Sequence, residues 1–258
     1  MVISLKPISR RSLSDAVFDQ LSAEIVRGRM APGTALPSER VLCETLKVNR
    51  GAVREALKRL SQAGLITIQH GGGSHVLDFK RTGSLHLLAQ LLYTAEGTID
   101  LKVARSTMEM RAALAPDIAR LCARRATPAL IARLAERVAA MEAAAADLPA
   151  LQGLALEFWD LLVIGADNIA YELAFNSLRE TYDDLREILV EVMGDELRDL
   201  ASYRAIADAV RRGDDLSATH VARALIDKGS GAIFQVIAAI EESSPRDLAE
   251  EQDKENAS

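Results

Sequence analysis

The chain has 258 residues, 49% of them apolar and only 4% aromatic. That supplies enough apolar surface for a core, excludes a chain disordered throughout, and favours helices over a β sandwich. The net charge of −6 argues against nucleic-acid binding by the chain as a whole, yet residues 1–80 carry 12 Lys and Arg against 7 Asp and Glu, while residues 81–258 carry 19 against 30. A basic first third joined to an acidic remainder predicts two domains with different partners. Cys43 and Cys122 stand far apart in no metal-type spacing and read as free thiols. The N-terminus has no signal-peptide core and no apolar run reads as a bilayer span, so a cytoplasmic protein without a membrane partner is expected.

In chain order, residues 14–28 predict a helix with Ala16, Val17, Leu21, Ile25 and Val26 on one face, Ser14 as N-cap and Gly28 as stop. The turn at Pro32-Gly33 precedes a short second helix from about Ser38 to Leu46. Asn49 can cap a third, with Val53, Leu57 and Leu60 buried and Gly64 ending it. "LITIQ" reads as a strand, "GGG" at 71–73 as a tight turn and "SHVLDF" as the returning strand. Three helices followed by a hairpin make a winged helix-turn-helix over residues 1–78.

Residues 79–84 read as a linker, and residues 85–243 as an all-helical effector-binding and dimerisation domain. The fold class is therefore mostly α. Helices are expected at 84–94, 98–125, 127–146, 150–166, 168–193, 195–213 and 215–242, with Pro116 kinking or breaking the second. The alanine run in "MEAAAADLPA" is expected to pack closely on a neighbour. The polar tail 244–258 reads as disordered.

A helix fits the major groove, and its N-terminal residues reach the base edges. Here those residues are Asn49, Arg50, Gly51 and Arg54. Arg50 and Arg54 share a face, and each can bind guanine O6 and N7 together. Gly51 lets the backbone come close. Arg40 is placed for phosphate or a neighbouring base, and His70 and Gly71 sit at the wing tip. Lys58 and Arg59, further along, touch phosphate or nothing.

The stretch "PGTALPSERVLCETLKVNRGAVREALKRLSQAGLITIQHGGGSHV" resembles the DNA-binding domain of the GntR family of bacterial transcription regulators. The resemblance implies double-stranded operator DNA as partner, with contacts at Arg40, Asn49, Arg50, Gly51, Arg54, His70 and Gly71. The helical remainder resembles the effector domain of the FadR subgroup, through "MEMRAALAPDIARLCARRAT", "GADNIAYELAFNSL" and "YRAIADAVRRGD". That implies an antiparallel bundle with a central cavity, and a homodimer suited to a palindromic operator.

Many members of the subgroup hold a metal with one Asp and three His. Those positions fall near Leu156, Asp160, Tyr203 and Leu225, and none is a histidine. The four histidines are His70, His75, His86 and His220, so no metal or other cofactor is expected. The fatty-acid-responsive members also lack the metal set. They share with this chain features of "TIQHG", "TGSLHLL" and "DNIAYELAFNSLRETY". The implied effector is a long-chain acyl-CoA, with Arg111, Asn176, Tyr182, Ser230 and Phe234 as candidate contacts. Arg111 could instead form a structural ion pair with a buried Glu such as Glu157, and Asn176 and Tyr182 could be helix packing. A small organic acid or sugar acid is the alternative effector. Glu157, Asp160 and Asp167 read as an acidic solvated face. With no nucleophile–base pair and no phosphate-binding glycine loop, catalysis is not expected.

Overall fold

The computed structural model describes residues 12–69, 73–94 and 97–243. The chain divides between Asp100 and Leu101 into two compact units.

The first unit contains α1 (Leu13–Val26), α2 (Glu39–Leu46), α3 (Arg50–Gln62), β1 (Ile66–Gln69) and β2 (Gly73–Val76). This is the expected order of three helices and a hairpin. α1 is capped by Ser12 rather than Ser14. The Ser12 hydroxyl accepts from the Asp15 amide at 3.1 Å, and the Asp15 carboxylate accepts from the Ser12 amide at 3.1 Å. The two orphan donors at the helix start are thus satisfied reciprocally. Val17, Phe18, Leu21 and Ile25 are buried, whereas Ala16, expected on that stripe, is exposed. At 100° per residue, positions 17, 21 and 25 drift toward 18 and away from 16.

Ser38 caps α2, and Lys47 ends it in the left-handed region at φ 54°. Asn49 Oδ1 accepts from the Ala52 amide at 2.9 Å and starts α3. Val53, Ala56, Leu57 and Leu60 of α3 pack with the α1 stripe, Leu65, Ile66 and Val76 into one core. Arg59 fastens α3 to α1 by an ion pair with Asp15, and its guanidinium lies 4.4 Å from the centre of the Phe18 ring. In the antiparallel hairpin Ile66 pairs with Val76 and Gln69 with Gly73. The backbone at 33–36 adds a third edge: the Leu36 amide donates to Ser74 O at 2.8 Å and the Gly33 amide to Val76 O at 2.8 Å.

The stretch read as a linker contains the single-turn helix α4 (Phe79–Thr82); a 3-10 turn (Leu85–Leu87) and α5 (Leu88–Leu91) follow. Leu87 is buried in the core of the first unit, and Phe79 and Leu91 pack against it. Gly64 ends α3 where α4 comes closest. Its φ is +74°, and a Cβ there would lie 2.0 Å from the Thr82 carbonyl oxygen. The Thr82 hydroxyl donates to Gly64 O at 2.7 Å. Gly64→Ala is therefore expected to cost more than the ~1–2 kcal/mol of a left-handed non-glycine residue alone, measured as a lowered urea midpoint.

The second unit is a bundle of α6 (Leu101–Arg125), α7 (Pro128–Ala143), α8 (Leu148–Ala166), α9 (Ile169–Asp184), α10 (Arg186–Val192), α11 (Gly194–Arg198), α12 (Leu200–Arg212) and α13 (Asp215–Glu242). The core lies among α6, α7, α8, α12 and α13, with Cys122, Leu134, Met141, Phe158, Leu162, Tyr203, Ile206 and Leu225 at its centre. Several expectations are corrected. α6 continues through Pro116 as one element, so of the two outcomes expected there the break does not occur. The single helix expected at 168–193 is two, α9 and α10, joined at Leu185, which packs into an apolar cluster. The one expected at 195–213 is also two. Asp199 leaves helical geometry and caps α12 by accepting from the Ser202 amide at 3.2 Å. The alanine run does not pack tightly: Ala143, Ala145 and Ala146 are exposed where α7 ends. Gly165 makes the close approach instead, since a Cβ there would lie 2.5 Å from Cys122 Sγ.

α8 has the length and composition of a bilayer span, as a buried core helix of a water-soluble bundle can. Its Leu151, Phe158, Trp159 and Leu162 are packed into the bundle core. The tail at 244–258, expected to be disordered, lies outside the described residues.

Four carboxyls among the described residues are held below the usual carboxylate range by hydrogen bonds: Asp15 from Ser12, Asp117 from Arg120 and Tyr171, Asp199 from Lys228 and Ser202, and Asp214 from Ser217. Lowered folded-state values contribute stability that is complete above the unfolded carboxylate value of about 4. It is lost as pH falls through the lowered values. The thermal midpoint is therefore expected to hold from neutral pH down to about 4 and to fall as pH is lowered further, and Asp117→Asn should flatten part of that fall.

Candidate functional site

The exposed face of α3 presents Arg50, Gly51, Arg54, Glu55 and Lys58, opposite its buried stripe. Arg54 reaches across to α2, where its Nε donates to Glu39 Oε2 at 2.9 Å. On α2 itself, Arg40 Nη1 donates to both oxygens of Glu44, at 2.8 and 3.1 Å. Lys58 pairs with Glu55 at 2.8 Å. Arg50 is exposed and has no side-chain ion pair among the described residues. A Cβ on Gly51 would come 3.2 Å from Asn49 Oδ1, so glycine here leaves the helix cap undisturbed. Asn49, Arg50, Gly51, Arg54 and Arg40 are thus brought together at the start of α3 and on α2. His70 and Gly71 lie outside the described residues.

A second polar group is buried in the helical unit. Arg111 of α6 forms an ion pair with Glu196 of α11, their side chains 15% and 2% exposed. Arg111 Nη1 also donates to Ser230 Oγ of α13 at 3.4 Å. Burial opposes the charge on Arg111, but Glu196 outweighs it and keeps the guanidinium protonated. Burial pushes the Glu196 carboxyl above the usual range, against the pull of Arg111. Gly229 makes room for this carboxylate: a Cβ there would lie 1.9 Å from Glu196 Oε2. Glu196 Oε2, Tyr203 Oη and Trp159 Nε1 are buried without a well-formed hydrogen bond among the described residues, the Gly229 amide lying beside Glu196 and Trp159 beside Tyr203. The Tyr203 hydroxyl is held well above its usual range by burial and by Glu196. The Phe158 ring meets Tyr203 edge-on at 5.2 Å.

An apolar cluster of Met108, Leu189, Met193, Ile233 and Ile237 adjoins this polar group, with Tyr182 and Phe234 packed against it. The Tyr182 hydroxyl donates to Met193 Sδ at 3.3 Å. An open groove of about 650 Å³ lies alongside α13, lined by Arg198, Asp199, Lys228, Gly231 and Gln235 among others. Lys228 pairs with Asp199 there.

Residues 13–76 match the family of bacterial regulatory proteins, gntR family, and residues 106–228 match the FCD domain. The HTH-type transcriptional regulator Mce2R of Mycobacterium tuberculosis is 37% identical over 235 residues, spanning 91% of this chain and 97% of that protein. The chain belongs to the GntR family. It is a bacterial DNA-binding transcription regulator with an FCD effector domain, and its relatives are regulators rather than enzymes. The fatty acid metabolism regulator protein of Vibrio cholerae is 42% identical over 85 residues, 33% of this chain and 29% of that protein. Among solved structures, the Listeria monocytogenes protein Lar, described as controlling expression of the agr system, shares the fold at a TM-score of 0.54. It is 14% identical, over 88% of this chain and 99% of that one.

In this GntR regulator Arg111, Tyr182 and Ser230 come together around Glu196 and Met193, and Phe234 lies in the adjoining apolar cluster. Asn176 does not join them. It is exposed on α9, and its side chain accepts from Arg179 at 3.5 Å. The acid that pairs with Arg111 is Glu196, not Glu157, which is exposed and pairs with Arg137 at 2.7 Å. Glu196 lies three residues from Met193 and one from Leu197, both buried, which carries its side chain into the core. Of the four positions at which the resemblance placed a metal set, Tyr203 and Leu225 are fully buried, and Asp160 faces Arg179 at 3.8 Å. Among the described residues no three His, Cys, Asp or Glu side chains are grouped to hold a metal.

Proposed function

We propose that this regulator controls genes of fatty-acid metabolism in the cytoplasm, as a homodimer whose operator affinity is set by a long-chain acyl-CoA in the helical unit. The observation that carries the reading is the adjacency of a buried polar group to a methionine-containing apolar cluster, joined through Tyr182 and Met193. An acyl chain gains about 0.8 kcal/mol per methylene on entering such surroundings, and methionines adapt to its shape. Ser230, Tyr182 and Arg111 supply hydrogen-bonding groups at the head of the chain. Arg198 and Lys228 line the groove beside Gly231 and would offer cations to phosphates. The local likeness to the Vibrio cholerae regulator points the same way.

Operator contacts are assigned to Arg40, Asn49, Arg50, Gly51, Arg54, His70 and Gly71. Ligand that favours one dimer geometry over another would change the placement of the two recognition helices, and so the affinity for DNA.

A small organic acid is less well served. Its carboxylate would enter beside Glu196, with the Arg111 charge already matched. Thermal unfolding with oleoyl-CoA, and separately with citrate plus zinc, separates the two readings. A ligand that binds only the folded state raises the midpoint by mass action. A rise with oleoyl-CoA is expected. A rise only with citrate or zinc would overturn the assignment of the effector.

A further inference from the structure

Arg54 does not stand free on the recognition helix. Its Nε–H edge is occupied by Glu39 Oε2 at 2.9 Å, from the first turn of the preceding helix. Both side chains are exposed, at 63% and 40%. An exposed ion pair contributes little to folding, so its consequence lies elsewhere. A guanidinium has five donors in a rigid fork. With Nε taken, the two terminal nitrogens remain, and one or both of these must face a base to bind guanine O6 and N7 together.

The other arginine pair on this face is built differently. In Arg40 a terminal nitrogen is the one taken, by Glu44 one turn along the same helix. Glu44 therefore covers the end of its arginine, whereas Glu39 grips the side of its own and leaves the end exposed. Glu39 also brings a negative charge to a surface that would face phosphate. It opposes contacts that depend on phosphate alone and leaves intact one in which the fork meets a base.

We propose that Glu39 is a specificity-determining positioning residue: it aims the fork of Arg54 and disfavours binding to DNA that offers the fork no base. The proposal rests on the assignment of Arg54 as a base contact. It does not depend on which effector the helical unit takes.

The test uses the full-length protein and a duplex that the wild type selects from a random-sequence pool, with an unselected duplex as the comparison. Glu39→Ala should lower the ratio of selected to unselected affinity by about 3- to 10-fold, part of what a whole bidentate contact supplies. Its affinity for the unselected duplex should rise. Repeating the selection with Glu39→Ala should relax preference at one base pair per half-site, the same one that Arg54→Ala relaxes. Glu39→Gln keeps an acceptor for Nε and should retain that base preference while binding unselected DNA more tightly. Glu44→Ala should tighten binding to both duplexes without altering base preference.

If Glu39→Ala shifts both duplexes by one factor while Arg54→Ala loses discrimination, Glu39 contributes charge alone and the proposal is overturned. If Arg54→Ala itself leaves discrimination unchanged, the assignment of Arg54 fails and the proposal fails with it. Unfolding midpoints near that of the wild type exclude a folding defect as the cause of either change.

Discussion

A Glu196→Ala variant is expected to lose about 3–5 kcal/mol of folding stability, the usual consequence of leaving one member of a buried ion pair without its partner. Arg111 is held between α6, α11 and α13 with its charge matched by Glu196 and one further hydrogen bond to Ser230. Without the carboxylate, the guanidinium must either stay charged in apolar surroundings or draw water into the bundle. Removing both charges is a different experiment. An Arg111→Met, Glu196→Leu double variant should recover most of the loss, because desolvation of the pair offsets much of its attraction. Urea unfolding of the two variants checks this. A loss below about 1 kcal/mol for Glu196→Ala would put the pair among exposed ones. The same substitutions should abolish any effector response that runs through Arg111, even where the double variant is well folded.

The second large effect is on DNA. Arg54→Ala is expected to weaken binding to the selected operator by about 1–3 kcal/mol, roughly 5- to 150-fold, with a much smaller change on unselected DNA. Arg50→Ala should behave similarly, since its side chain is exposed on the same face. Arg40→Ala, acting through phosphate, should weaken both duplexes together and reduce the salt dependence of binding. Binding titrations at several salt concentrations distinguish the patterns. Operator affinity unchanged in all three variants would remove α3 as the recognition helix.

Much of the first unit was legible in the sequence because its signals are local. Ser38 and Asn49 cap helices where their residue types suggest, Gly64 ends α3 in the left-handed region, and the stripe of Val53, Leu57 and Leu60 is buried. What escaped depends on partners distant in the chain. Glu196 lies 85 residues from Arg111 and Glu39 lies 15 from Arg54, and no periodicity relates either pair. The divisions at Leu185 and Asp199 carry neither proline nor glycine. Asp199 is set by its cap to Ser202 and its pairing with Lys228 from another helix. The alanine run misled because small side chains permit close packing without requiring it. The glycine that does pack closely, Gly165, sits in an otherwise bulky apolar helix.

On the proposed function, a fatty acyl thioester in the helical unit governs DNA binding. The most direct test of this is the affinity of the full-length protein for its selected operator duplex, titrated with oleoyl-CoA, free CoA and citrate in parallel. Oleoyl-CoA alone is expected to weaken binding, by about 5- to 150-fold at saturation, the usual range of coupling between two sites. Operator affinity indifferent to oleoyl-CoA, or altered only by citrate, would contradict it.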